Sequence, residues 1–190
     1  MAAMSQRHIL TFDMDGVLCR PPFGINPGSG RGKQRETAGK KNILWRTERW
    51  RYAFRRPMPG APGAFREFAN LYDCRVLTAR ADLARSLTES WFERWFGVVP
   101  TIHLRPNWHE TPAQFKTRMV LELGAKAHFE DDPFTAEWVS ELIPGVFLVD
   151  WPRNRWLEGE NIRRIRTIGD ALPLVPALLG EGSAGDRYAI

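Results

Sequence analysis

Cysteine is nearly missing from this 190-residue chain, histidine is sparse, and long apolar runs are absent. With only Cys19 and Cys74, a disulfide scaffold is not expected, and a reducing cytoplasm is the expected setting. No four-member Cys/His cluster is spaced along the chain, which argues against structural zinc. No stretch approaches the roughly 18 uninterrupted apolar residues of a membrane helix, so no membrane partner is expected. Met1 to His8 is too polar and too short to read as a secretory leader. No internal repeat is found. What remains is ordinary for a folded protein: 43% hydrophobic and 26% charged residues, enough for one domain with a core and a small insertion.

Charge is unevenly placed. Between Arg20 and Arg56 eleven basic residues face only Glu36 and Glu48, a net +9; the chain carries +5 in all, so the rest is −4. A basic segment on a mildly acidic body points to an anionic substrate or partner near that segment. The same segment holds Pro21-Pro22, Gly24, Pro27-Gly28 and, before Pro57, the aromatics Trp45, Trp50, Tyr52 and Phe54. It has no helical or strand period at its start and closes in Pro57, Pro59-Gly60 and Pro62-Gly63.

Outside it, helix and strand signals alternate. Ile9–Phe12 and Cys74–Thr78 read as apolar strands, and Ala64–Leu71 as a helix between them. Ala81–Phe96 reads as an amphipathic helix with Leu83, Leu87, Trp91 and Trp95 on its apolar face. Thr101–Leu104 is a strand; Thr111-Pro112 opens a helix that Gly124 stops. Ala127–Phe129 is a strand, Phe134–Leu142 a helix and Val146–Val149 a strand, followed by a strand over Ile162–Ile168 and a helix over Ala171–Leu179. Such alternation predicts an α/β, Rossmann-like three-layer sandwich with a mainly parallel central sheet. The expected organisation is a core of residues 1–18 and 59–180, a basic cap at 19–58 inserted after the first strand, and a loose tail at 181–190.

Three expected strands end in polar groups. The first ends in Asp13-Met14-Asp15-Gly16, the second in Thr78-Ala79-Arg80, and the third in Glu130-Asp131-Asp132-Pro133. In a parallel sheet these ends share one rim, where ligands of open α/β sheets bind. Residues two apart in extended chain face one way, so Asp13 and Asp15 are expected to enter one crevice while Met14 packs. Like charges so placed call for a metal, a shared proton or both. Each element has an ordinary reading too. Asp-x-Asp-Gly is a common turn, Thr78 suits a strand end, acids before Pro133 suit a helix start, and Lys116 suits a solvated helix face. Their joint order is what those readings leave unexplained.

In that order the chain resembles the haloacid dehalogenase (HAD) superfamily, whose signatures are Asp-x-Asp-Gly, then Ser/Thr, then a helical Lys, then an acidic pair. Asp13 and Asp15, Thr78, Lys116, and Asp131 with Asp132 match them, over about Ile9 to Asp132. Lys116 is preferred to Lys126 because it lies within the expected helix, whereas Lys126 follows Gly124. The resemblance implies a phosphatase with Asp13 as nucleophile, Asp15 as general acid and base, and Thr78 and Lys116 as phosphoryl contacts. It implies Mg²⁺ on Asp13, Asp131 and the backbone carbonyl of Asp15. Asp132 would act through water or orient Lys116, and Glu130 is left outside the ligand set. Arg80 is a substrate-anion contact or a salt bridge.

The Asp13–Leu18 wording is similar to the 5′-nucleotidase and deoxyribonucleotidase branch, which implies a small phosphorylated substrate such as a nucleotide. Two other readings stand beside it. The basic, aromatic cap is suited to binding nucleic acid or processing its ends. A non-catalytic HAD-like interaction module would have no need for the full acid set.

Overall fold

The computed structural model describes residues 7–21, 54–106 and 109–181. Most of the expected cap and tail, including Trp45, Trp50 and Tyr52, lies outside the described residues.

Six strands, β1 (Ile9–Phe12), β2 (Asp73–Ala81), β3 (Thr101–Arg105), β4 (Ala127–Glu130), β5 (Gly145–Val149) and β6 (Ile162–Ile165), form one sheet in the order β3-β2-β1-β4-β5-β6. All five pairings are parallel. Among the described residues, four helices connect strands, α1 (Ala61–Leu71), α2 (Arg85–Phe96), α3 (Pro112–Leu123) and α4 (Pro133–Ser140), and α5 (Leu174–Leu178) follows β6. This is the expected Rossmann-like α/β sandwich.

Strand alternation divides the core into two layers. Leu10, Phe12, Val76, Phe129, Phe147 and Val149 pack with Phe65 and Phe68 of α1 and with Trp91, Phe92 and Phe96 of α2. Leu77, Val146 and Leu148 pack on the opposite side with Phe115 and Val120 of α3 and Ala136 and Val139 of α4. The first layer is rich in rings: Phe12 stacks on Phe129 at 4.3 Å between centroids and meets Phe65 edge-on at 5.1 Å. Each such buried Phe is worth about 1.5–3 kcal/mol against exposure. The second layer admits polar groups on and just after β1, at Thr11 and Asp13, and on β4, at His128 and Glu130, and these begin the site.

Several elements differ from expectation, each for a local reason. Leu83 is exposed, because Asp82–Ala84 forms a 3₁₀ turn ahead of α2. The buried face of α2 is Thr88, Trp91, Phe92 and Phe96. A stripe spaced strictly by four drifts about 40° per step around a 3.6-residue helix, so Leu83 and Trp95 cannot share one face. The strand expected to reach Ile168 stops at Ile165, since Asp170 accepts the Arg166 and Thr167 N–H groups at 2.9 and 3.0 Å and turns the chain. The last helix is correspondingly short.

The helix that carries Lys116 is well terminated. Thr111 Oγ1 accepts the Gln114 N–H at 3.2 Å, Gln114 Oε1 accepts the Thr111 N–H at 2.9 Å, and Gly124 closes the end at φ 64°. Thr111→Ala is therefore expected to lower stability by about 1 kcal/mol. Urea denaturation should show a shifted midpoint at unchanged slope.

Candidate active site

β1 ends at Phe12, and the next eight residues coil on themselves at the rim. Asp13 N–H donates to Phe129 O at 2.8 Å, and Leu18 and Cys19 N–H both donate to Met14 O, at 3.0 and 2.7 Å. Gly16 holds φ 97°, which a side chain would strain. Met14 is fully buried, as its place between the acids predicts. The chain that departs here returns alongside itself: Arg20 N–H donates to Arg56 O, and Met58 N–H to Leu18 O, each at 2.8 Å. The two stems of the inserted segment thus start beside the Asp-Met-Asp-Gly turn.

Because extended chain stops at Phe12, alternation does not reach Asp15, and the two acids take separate partners. Asp13 turns toward α3, where Lys116 Nζ stands 2.8 Å from its Oδ1. Lys116 also donates to Glu130 Oε2 at 2.7 Å. Both Asp13 and Lys116 are almost fully buried, and Glu130 is completely so. Asp15 turns toward the end of β2. Arg80 grips it with two hydrogen bonds, Nε to Oδ2 at 2.9 Å and Nη2 to Oδ1 at 2.8 Å, and Arg55 of the returning stem pairs with the same carboxylate. Arg80 in turn donates to Thr88 Oγ1 of α2 at 3.4 Å. The register of β2 against β3 shifts between Thr78 and Ala81, and this irregularity carries the Thr78-Ala79-Arg80 segment. Thr78 is buried, its Oγ1 accepting the Arg80 N–H at 3.3 Å.

Glu130 is the residue that motif reading set aside, and the structure puts it at the centre. Its Oε1 accepts the N–H groups of Asp131 and Asp132 at 2.9 and 3.1 Å, and its Oε2 faces Lys116 and His128 Nε2, the latter at 3.1 Å. The His128 ring continues to Thr11 Oγ1 at 2.9 Å. Glu130, not Asp132, orients Lys116. Asp132 instead caps α4, accepting the Thr135 N–H and hydroxyl, each at 3.0 Å. Lys126 is exposed on the turn before β4. A signal for this network was present in the sequence: Thr11, Asp13, His128 and Glu130 are polar at alternate places in otherwise apolar strands, and the β1–β4 register sets Thr11 beside His128.

Carboxylate oxygens of Asp13, Glu130 and Asp131 lie within 4.8 Å of one another. Among the described residues, Lys116 pairs with Asp13 and Glu130, and Arg153 with Asp131. Burial raises the Asp13 carboxyl well above its ordinary value; Lys116 opposes that shift, and Glu130 and Asp131 reinforce it. At Glu130 burial again works against the charge, yet Lys116 and His128 outweigh it and its pKa falls. Burial would discharge Lys116, but the two carboxylates beside it raise its pKa. At Asp15 burial is outweighed by Arg80 and then Arg55, so its pKa is lowered. The cluster gathers three carboxylates at one buried point, and their oxygens are hard donors. Those features fit a divalent cation such as Mg²⁺. Glu130 fits the role of direct ligand less well, since four donors already occupy its oxygens.

Solved structures share this architecture. A haloacid dehalogenase-like family hydrolase from Streptococcus pneumoniae matches with TM-score 0.60 at 11% identity, over 89% of this chain and 98% of that one. D,D-heptose 1.7-bisphosphate phosphatase from B. bronchiseptica, complexed with magnesium and phosphate, matches with TM-score 0.51 at 14% identity, over 92% and 99%. A chain of the Pnkp1/Rnl/Hen1 RNA repair complex matches with TM-score 0.57 at 15% identity, over 78% of this chain but 44% of that one. No protein-family model matches the sequence, and no curated protein does. The fold is that of the HAD-superfamily hydrolases. Among the described residues, no helix is long and apolar enough to cross a membrane.

Proposed function

We propose that this chain is a HAD-type, Mg²⁺-dependent phosphatase that hydrolyses a phosphate monoester through an aspartyl-phosphate on Asp13. The observation that carries this reading is the buried Asp13 paired with Lys116 at 2.8 Å, with Asp131 within reach of the same point in space. Asp13 and Asp131 would hold Mg²⁺ together with the backbone carbonyl of Asp15. Bound there, the ion supplies the positive charge that a phosphate needs beside so many acids: one pair of like charges at about 4 Å and an effective dielectric of about 20 repel by about 4 kcal/mol.

The chain's own groups then divide the work. An Asp13 oxygen attacks phosphorus, and the bond from phosphorus to the ester oxygen breaks. The departing oxygen takes a proton from Asp15. Water next attacks the acyl phosphate, Asp15 takes its proton, and inorganic phosphate leaves with Asp13 regenerated. Lys116 offsets charge on Asp13 and the phosphoryl group, and Thr78 donates to a phosphoryl oxygen. The guanidinium grip of Arg80 and Arg55 keeps Asp15 ionised, the state that accepts water's proton. A phosphate that draws either arginine onto its own oxygens loosens that grip and lets Asp15 carry the proton needed in the first half.

The substrate reading is a nucleotide or similar small phosphate, drawn by the +9 segment between Arg20 and Arg56. Nucleic-acid ends are the second reading, favoured by the same charge and by the fold shared with a chain of an RNA repair complex. Phosphate release from p-nitrophenyl phosphate, nucleotides, sugar phosphates and phosphorylated oligonucleotides should be compared with Mg²⁺ and with EDTA. Turnover that EDTA abolishes and Mg²⁺ restores is expected. Failure of every substrate with Mg²⁺ present overturns the phosphatase, while a salt-sensitive gel shift without turnover favours the nucleic-acid binder.

A further inference from the structure

The loop after β5 has no part in the mechanism above, yet it is fastened to the rim at both sides. Trp151 Nε1 donates to Gly16 O at 3.1 Å, and Asn154 Nδ2 donates to Asp131 O at 3.0 Å. Between them Arg153 bridges two carboxylates, Nη2 to Asp131 Oδ2 and Nη1 to Asp132 Oδ1 at 3.3 Å. Its side chain is 7% exposed, and among the described residues its buried Nε has no hydrogen-bond partner. An unpaired buried donor is unfavourable. The two acids, not the surroundings of Nε, therefore hold the guanidinium where it is.

The geometry has a direction. Asp132 is fixed, because its other oxygen caps α4 through Thr135. Asp131 is tied to that fixed point through the planar fork of Arg153, and Asn154 pins its backbone from the same loop. An ammonium can meet two carboxylates, as Lys116 does, but it has no planar fork to fix the orientation of one relative to the other.

We propose that Arg153 is a positioning residue for the divalent cation, setting the Asp131 carboxylate through its fork; this rests on the reading that the cation binds at Asp13 and Asp131. Groups that hydrogen-bond a ligating carboxylate govern metal affinity, and losing one weakens binding about 10–100-fold. Calorimetric titration of Mg²⁺ into the metal-free full chain tests the assignment. Arg153→Gln should bind Mg²⁺ at least about tenfold more weakly than wild type. Arg153→Lys keeps the charge but not the fork and should recover little of the loss. Arg155→Gln, on the same loop but paired with Asp150 at 3.1 Å, should leave the affinity unchanged.

Urea denaturation without metal reports whether each variant folds; if Arg153→Gln does not, Arg153→Lys decides. Wild-type or tighter affinity in Arg153→Gln overturns the proposal, as does full recovery in Arg153→Lys. Mg²⁺ binding to wild type that no Arg153 variant alters removes this proposal alone. No Mg²⁺ binding to wild type removes the metal reading and this one with it.

Discussion

Asp13→Asn is expected to reduce Mg²⁺-dependent phosphate release to below about one part in 10⁴ of wild type, the scale of loss when a nucleophile is removed. An amide has no ionised oxygen to attack phosphorus, and it is a poor ligand for a hard dication. The change is nearly isosteric, so packing against Phe129 O and Lys116 is retained. It also removes one of three clustered acids while leaving Lys116 its bond to Glu130. Burial already disfavours the charged form of Asp13, so the metal-free variant should be at least as stable as wild type at pH 7 to 8. The expected pair of results is lost turnover with undiminished urea resistance. Comparable turnover in both proteins would remove Asp13 as nucleophile.

Much of this arrangement could be read from the chain because the informative residues sit at strand ends and helix caps. Asp13, Thr78 and Asp131 follow apolar runs, and a parallel sheet must deliver such ends to one rim. Lys116 could be chosen over Lys126 because Thr111, Pro112 and Gly124 mark where its helix begins and stops. Glu130 was harder. A linear motif invites counting of adjacent acids, whereas the role of Glu130 depends on which way β4 faces relative to β1, a matter of register. Arg153 left no signal, and Arg55 showed only as one basic residue among the eleven of the 20–56 segment. Each reaches its carboxylate from a loop, and no periodicity places a loop residue opposite a strand end. The common feature of the two arginines is that they pair with acids, which becomes visible only once the acids have been brought together.

That dependence makes Lys116→Met the harshest test of the buried network. Lys116 is the cation shared by Asp13 and Glu130, at 2.8 and 2.7 Å. A methionine fills similar volume but leaves two buried carboxyls with no ammonium, a loss of about 3–5 kcal/mol for a broken buried pair. Activity should fall with it, since the phosphoryl group loses its fixed positive neighbour. The stability loss should depend on pH in a definite direction. In wild type Lys116 is the chief influence that lowers the Glu130 pKa against burial, and it opposes the rise at Asp13. Without it, burial raises both carboxyls. Lys116 is also among the charges that depress His128, so the imidazole becomes a competing proton acceptor beside Glu130. Whichever group takes the proton, the folded variant binds more protons than its unfolded chain above the ordinary carboxylate and histidine ranges. Stability conferred by a raised pKa is complete below the unfolded value and disappears as pH rises. The variant's deficit in urea should therefore be smaller at pH 5 than at pH 8, and added Mg²⁺ should recover part of it at pH 8. An equal deficit at both pH values would mean that Lys116 contributes packing alone, and that Asp13 and Glu130 do not depend on its charge.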